Sequence, residues 1–274
     1  MLAATAGLAV AHAGPGITAI RTVRTALFPR LSGSGRPDHV ALTFDDGPDQ
    51  AATPLFIELL RERGVRATFF LIGSQVSKSP RLAADIADAG HEIGVHGWRH
   101  RYLPLRGPLA TQADLARTKE IITATAGVEP WLFRPPYGVL STAALIAARR
   151  LRLTPVLWNC WGREWTPGST PESVYATLTG DLAGGATVLL HDSDCTSPAL
   201  SWQAALGALR LLLDECDRRG LRVGPLSEHG SHWRAPAAAP AAALRPLLWR
   251  RPTRRPTRLR DHGRLSASHA ERLP

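Results

Sequence analysis

Between His39 and His229 short apolar runs alternate with stretches of helical pattern, most of them closed by a glycine. The runs Val40–Phe44, Ala67–Ile72, Glu92–His96, Leu132–Arg134, Pro155–Trp158, Ala186–His191 and Leu221–Val223 have the length and residue types of strands. The helical stretches between them carry clear punctuation. Thr53-Pro54 opens one and Gly64 closes it; Ser79-Pro80 opens another, closed by Gly90. Thr111 to Gly127, Thr170-Pro171 to Gly184 and Ser201 to Gly220 follow suit. Ser or Thr caps, proline at the first helical position and glycine past the last turn are helix-boundary signals. Seven strands alternating with helices predict a parallel α/β fold, as an open doubly wound sheet or a closed barrel. No glycine-rich phosphate loop follows the first strand, which lowers the dinucleotide-binding version.

The alternation is confined to the middle of the chain. Residues 1–36 form an Ala/Gly-rich leader, in which Ala11-His12-Ala13 resembles a cleavage site although no positive segment precedes it. It reads either as a plain leader or as a truncated signal or anchor. Beyond His229, an Ala/Pro-rich stretch and the Arg/Pro/Thr run Arg250–Arg260 predict a disordered tail over residues 230–274. That leaves residues 37–229 as the folded domain.

Composition is ordinary for a globular chain, with 44% apolar and 20% charged residues. The net charge of +10 is uneven: the tail holds ten arginines against Asp261 and Glu271, which is +8 of the total. The body is near neutral, so the charge gives no case for nucleic-acid binding by the fold. The tail could touch an anionic wall polymer or a membrane surface, or simply be solvated. Three cysteines without metal-site spacing, Cys160, Cys195 and Cys216, read as free thiols; Cys195 and Cys216 could pair in an oxidising compartment.

Four segments carry chemistry. In Thr43-Phe44-Asp45-Asp46-Gly47-Pro48 two adjacent carboxylates end a strand at a turn. Like charges that close repel unless a cation sits beside them. In His96-Gly97-Trp98-Arg99-His100 two imidazoles are spaced to reach one ion. Two histidines with one carboxylate leave positions open for water and substrate, the pattern of a catalytic metal site. In Phe133-Arg134-Pro135-Pro136-Tyr137 two prolines fix the backbone around Arg134 and the Tyr137 N–H. Leu189-Leu190-His191 delivers one histidine at the end of a buried strand. Each segment alone could be structural. All four lie at C-terminal strand ends, where barrel enzymes keep their chemistry.

These segments, in this order over about Pro37–His229, resemble the polysaccharide deacetylase (NodB-like) family, carbohydrate esterase family four. The resemblance implies an irregular (β/α) barrel of about seven parallel strands. It implies that Asp46, His96 and His100 bind a divalent metal, usually zinc, with cobalt or another transition metal also compatible. Asp45 would be the general base, Arg134 its tuning partner, the Tyr137 N–H an oxyanion donor and His191 the general acid. The implied reaction is attack of metal-bound water on the acetamide of N-acetylated sugars in a peptidoglycan- or chitin-like polymer, by a monomer in the cell envelope or outside the cell. O-acetyl ester hydrolysis, deacylation of a small molecule, and a non-catalytic wall-binding module are the rivals. The family's Asp-x-x-Asp-Trp segment reads Trp161-Gly162-Arg163-Glu164-Trp165 here. Glu164 or Asp192 is therefore expected to supply the carboxylate behind His191. Trp98, Trp161 and Trp165 are candidates for groove or core.

Overall fold

The computed structural model describes residues 10–230, together with Gly7 and Trp233. The expected tail at 230–274 lies, apart from Gly230 and Trp233, outside the described residues. Eight strands form one sheet: β1 (His39–Asp45), β2 (Thr68–Leu71), β3 (Glu92–Val95), β4 (Leu132–Phe133), β5 (Thr154–Pro155), β6 (Cys160–Trp161), β7 (Thr187–His191) and β8 (Arg222–Gly224). Their order is β5-β4-β3-β2-β1-β7-β6, β8 pairs with the start of β1, and every pairing is parallel. The result is the expected α/β barrel in irregular form, a curled sheet left open between β5 and β6. Of the single run expected at Pro155–Trp158 only Pro155 is strand, at the end of β5, and β6 begins after it at Cys160. Between them the carbonyls of Val156 and Leu157 accept from the Arg134 side chain and that of Trp158 from Arg24.

Strand alternation sorts the residues into two layers. Val40, Leu42 and Phe44 of β1 join Phe69, Leu71, Val188 and Leu190 in the core beneath the helices. Ala41 and Phe70 pack in a second cluster with Leu132, Val156, Leu226 and Trp233. Thr43 and Asp45 share the face of Ala41, which aims Asp45 inward. Register places Asp45 beside His191 on β7 and beside Phe70 on β2. Two carboxylates and a histidine thus reach the same end of the barrel because their strands run parallel and end together.

Residues 14–36, which the sequence places in the leader, fold across the open edge. A short helix, Arg21–Leu27, carries the buried Arg24. Arg24 donates to the carbonyls of Thr18 (2.7 Å) and Trp158 (2.6 Å). Further along, the Leu157 N–H donates to the Leu31 carbonyl (2.8 Å) and the Thr187 hydroxyl to that of Gly33 (2.6 Å). Burial and the nearby Arg21 and Arg134 pull the Arg24 guanidinium down to about 10, which leaves it charged at neutral pH. The three cysteines are free thiols, Cys160 and Cys216 buried and Cys195 exposed. Among the described residues no helix is long and apolar enough to cross a membrane.

Candidate metal and acid–base site

Asp46 sits at the turn after β1 with φ of 76°, a left-handed conformation that costs a non-glycine residue about 1 kcal/mol or more. The turn continues through Gly47 and a cis Gly47–Pro48 bond. Glycine is required at 47 because a Cβ there would stand 2.5 Å from the Asp192 carboxylate. With this geometry Asp45 and Asp46 reach the same mouth.

The Asp46 Oδ1 atom is buried and has no hydrogen-bond partner. Facing it are His96 Nε2 at 3.4 Å and His100 Nε2 at 3.8 Å. These contacts are too long for hydrogen bonds and leave room for an ion among the three donor atoms. All three lie within 4.8 Å of one another. His96 Nδ1 donates to the Arg134 carbonyl (2.8 Å), which keeps the proton off Nε2. Burial and the neighbouring His96 pull His100 down to about 4, so its ring is neutral. Burial also opposes charge on His96, but the Asp45 and Asp46 carboxylates outweigh it and raise its pKa, which marks a place that favours positive charge. One carboxylate oxygen and two imidazole nitrogens, buried and converging, fit a divalent transition metal. The outer Asp46 oxygen is held by the Thr196 hydroxyl, and the Cys195 thiol lies 3.5 Å from the Asp46 carbonyl. Neither contact has a signal in the sequence, because both come from the loop after β7.

Arg134 is fully buried and lies on the Phe70 ring, 4.1 Å from its centroid. It donates to Asp45 Oδ1 (2.8 Å), Thr43 Oγ1 (2.7 Å) and the carbonyls of Leu157 (3.0 Å) and Val156 (3.4 Å). Asp45 Oδ2 is left free to face His96 Nε2 at 3.7 Å. Tyr137 follows at φ 60°, and no backbone carbonyl of the described residues accepts its N–H. Its exposed ring meets His100 edge-on at 4.3 Å.

On the opposite side His191 Nδ1 donates to Glu164 Oε1 (2.8 Å), and the His191 backbone N–H donates to the same oxygen (2.6 Å). His191 Nε2 points toward Asp46 Oδ2 at 4.0 Å. Burial pulls His191 down, but Glu164, Asp46 and Asp45 together raise it to about 9. Of the two carboxylates considered from sequence, Glu164 is the one behind His191. Asp192 instead accepts from the Thr53 hydroxyl (2.5 Å), and burial raises its carboxyl to about 7. Trp161 and Trp165 are half-buried and form a row ending on His191, with Trp165 edge-on at 5.3 Å. Trp98 packs away from this row, under Arg117.

The family model for polysaccharide deacetylases matches residues 32–156. The peptidoglycan-N-acetylglucosamine deacetylase of Bacillus cereus is 34% identical over 193 residues, covering 69% of this chain and 86% of that protein. The chain belongs to the polysaccharide deacetylase family. Among solved structures, this family member is similar to the Bc1960 peptidoglycan N-acetylglucosamine deacetylase in complex with a hydroxamate-type benzamide. The TM-score is 0.67 at 30% identity, over 72% of this chain and 91% of that one. Its fold is also that of BA3943 from Bacillus anthracis, described as a family pseudoenzyme, with TM-score 0.65 at 24% identity over 72% and 67% of the two chains. Membership therefore gives the chain its fold and relatives, and the case for activity rests on the side chains at the mouth.

Proposed function

We propose that this chain is a metal-dependent hydrolase that removes acetyl groups from N-acetylated sugars of a wall or chitin-like polysaccharide, in the cell envelope or outside the cell. The observation that carries the reading is one mouth holding three things: an unpartnered buried Asp46 oxygen facing two imidazole nitrogens, the Asp45–Arg134 pair, and the His191–Glu164 pair. A binding module has no need of a base and an acid flanking a cation site.

Asp46, His96 and His100 would hold the metal. Zinc is the expectation from resemblance, and a divalent ion there supplies Lewis acidity and a lowered water pKa. Asp45 takes the proton of the attacking water, and Arg134 aims its carboxylate. The Tyr137 N–H, fixed by its left-handed backbone, donates to the carbonyl oxygen as negative charge develops there. Losing one such donor typically costs about 3–4 kcal/mol of barrier. His191 carries a proton on Nε2 for the departing nitrogen while Glu164 holds Nδ1–H. An amide nitrogen leaves only when protonated, whereas an ester oxygen can leave without that help. The raised His191 pKa therefore favours amide over O-acetyl ester hydrolysis.

The test is acetate release from a soluble chito-oligosaccharide by metal-stripped and zinc-restored protein, beside Asp46→Ala. Release that needs zinc and vanishes in Asp46→Ala is the expected result. Zinc binding to wild type without release from any acetylated glycan would return the chain to the pseudoenzyme class.

A further inference from the structure

The loop that carries the two candidate metal histidines has a second side. Behind it a pocket of about 390 Å³ opens between the loop and the helix Pro108–Ala126, lined by Trp98, Arg99, Arg101, Arg106, Asp114 and Arg117. Its lining holds four arginines and a single carboxylate. Asp114 is engaged from within, accepting the Trp98 N–H at 2.8 Å, and it stands 3.7 Å from Arg106. Arg99, Arg101 and Arg117 make no side-chain hydrogen bond or ion pair among the described residues. Arg106 Nε is buried and without a partner. A buried donor left unsatisfied costs free energy that a bound acceptor would recover.

The pocket is also preformed. Arg117 sits over the Trp98 ring, its Cζ 3.5 Å from the centroid. The ring is seated against Gly73, where a Cβ would come within 2.6 Å of it. The ring contact restrains the guanidinium while its N–H groups make no side-chain hydrogen bond among the described residues, and a guanidinium suits a planar, two-oxygen acceptor. Elsewhere on the described surface arginines are largely paired: Arg36 with Asp38, Arg61 with Glu58, Arg63 with Asp214 and Arg81 with Asp85.

We propose that this pocket is a subsite for a carboxylate carried by the polymer on a unit next to the one being deacetylated. The proposal rests on the deacetylase reading and narrows its substrate to an anionic glycan. Arg99 and Arg101 flank His100 in sequence, so the pocket shares its loop with a candidate metal ligand and contains none of the site's own side chains. A neutral chitin-type chain would leave Arg99, Arg101 and Arg117 without an anionic partner beyond the single carboxylate of Asp114. A wall glycan offers carboxylates on a lactyl ether or on a peptide branch.

The test is calorimetric binding of soluble wall-glycan strands to the full chain, compared with the same strands after their carboxylates are capped as methyl amides. Wild type is expected to bind the uncapped strands tighter, with a further loss of about tenfold in Arg101→Gln/Arg117→Gln, and to lose the preference as salt rises. The arginine-rich tail is identical in both proteins, so the difference between them isolates the pocket. Strands stripped of peptide separate the two carboxylate sources. Equal binding of uncapped strands by both proteins would overturn the proposal. So would tighter binding of a phosphate-bearing wall polymer that the double variant loses. If wild type released no acetate from any substrate the deacetylase reading would fail, and the binding comparison would still decide the pocket.

Discussion

Two histidine pairs stand at opposite ends of the barrel and do opposite things. At the mouth His96 and His100 turn their Nε2 atoms toward a carboxylate, and the site favours positive charge. At the closed end His39 and His229 turn their Nδ1 atoms toward each other at 2.8 Å. His229 Nε2 donates to the carbonyls of Gly33 and Gly185, so its Nδ1 accepts and His39 donates. Every proton in that contact is assigned with both rings neutral, and burial lowers the His39 pKa. The residue type is the same in both places. What differs is the partner: carboxylates hold protons and cations at one end, while carbonyls and apolar burial exclude charge at the other.

The largest expected effect sets the two ends apart directly. Arg134→Met leaves Asp45 buried without its cation, which costs about 3–5 kcal/mol of stability and should lower turnover by roughly a thousandfold or more. His39→Phe at the closed end removes one hydrogen bond, costs about 1–2 kcal/mol, and should leave turnover per folded molecule unchanged. Urea unfolding and acetate release on the same two proteins measure the contrast. A His39→Phe protein that folds normally but loses turnover would break it.

Glu164→Gln sharpens the mouth's side of the comparison. The substitution keeps an acceptor oxygen for His191 but removes the charge that outweighs burial. The pKa of His191 falls, so the acid form is lost at lower pH and the alkaline limb of the kcat profile moves toward neutrality. Turnover of an acetamide is expected to fall by about a hundredfold, and that of an activated acetate ester much less. An unshifted alkaline limb would show that Glu164 does not govern the acid.

The mouth was legible in the sequence because its residues announce their chemistry. Asp45-Asp46 before Gly47-Pro48 and His96 four residues before His100 can be read as side chains that want a cation, and the strand pattern puts them at one end. Glu164 was legible only as one of two alternatives. Asp192 was equally near in sequence, and only the fold shows it turned to Thr53. The closure of the barrel edge was not legible. Leu31 and Gly33 act there through backbone carbonyls, which every residue possesses, and the Arg24 guanidinium is spent on backbone carbonyls that no residue type marks. An Ala/Gly-rich leader and a folded strap have the same composition when the contacts are made by the main chain. The arginine pocket was hidden differently: Arg99, Arg101, Arg106 and Arg117 converge through a helix and a loop, and no spacing marks them.

The smallest expected effect is a test of the charge-excluding part of the barrel. His91 is buried against Phe69, and its Nδ1 accepts the Ala67 N–H at 3.3 Å. Burial, with Arg66 nearby, lowers its pKa to about 4. Its pKa is depressed on folding, so between about 6.5 and 4 the unfolded chain binds the proton that the folded chain refuses. The stability it contributes is complete above that window and is lost as pH falls through it, by about 2–3 kcal/mol. His39 adds to the loss in the same direction. His91→Asn keeps an acceptor for the Ala67 amide and removes the titration. Urea midpoints measured from neutral pH down to about 4 should therefore fall less in His91→Asn than in wild type. Parallel curves would mean that His91 is already as protonated in the folded chain as in the unfolded one. Burial at this end would then not exclude charge, and the contrast with the mouth would rest on the His39–His229 contact alone.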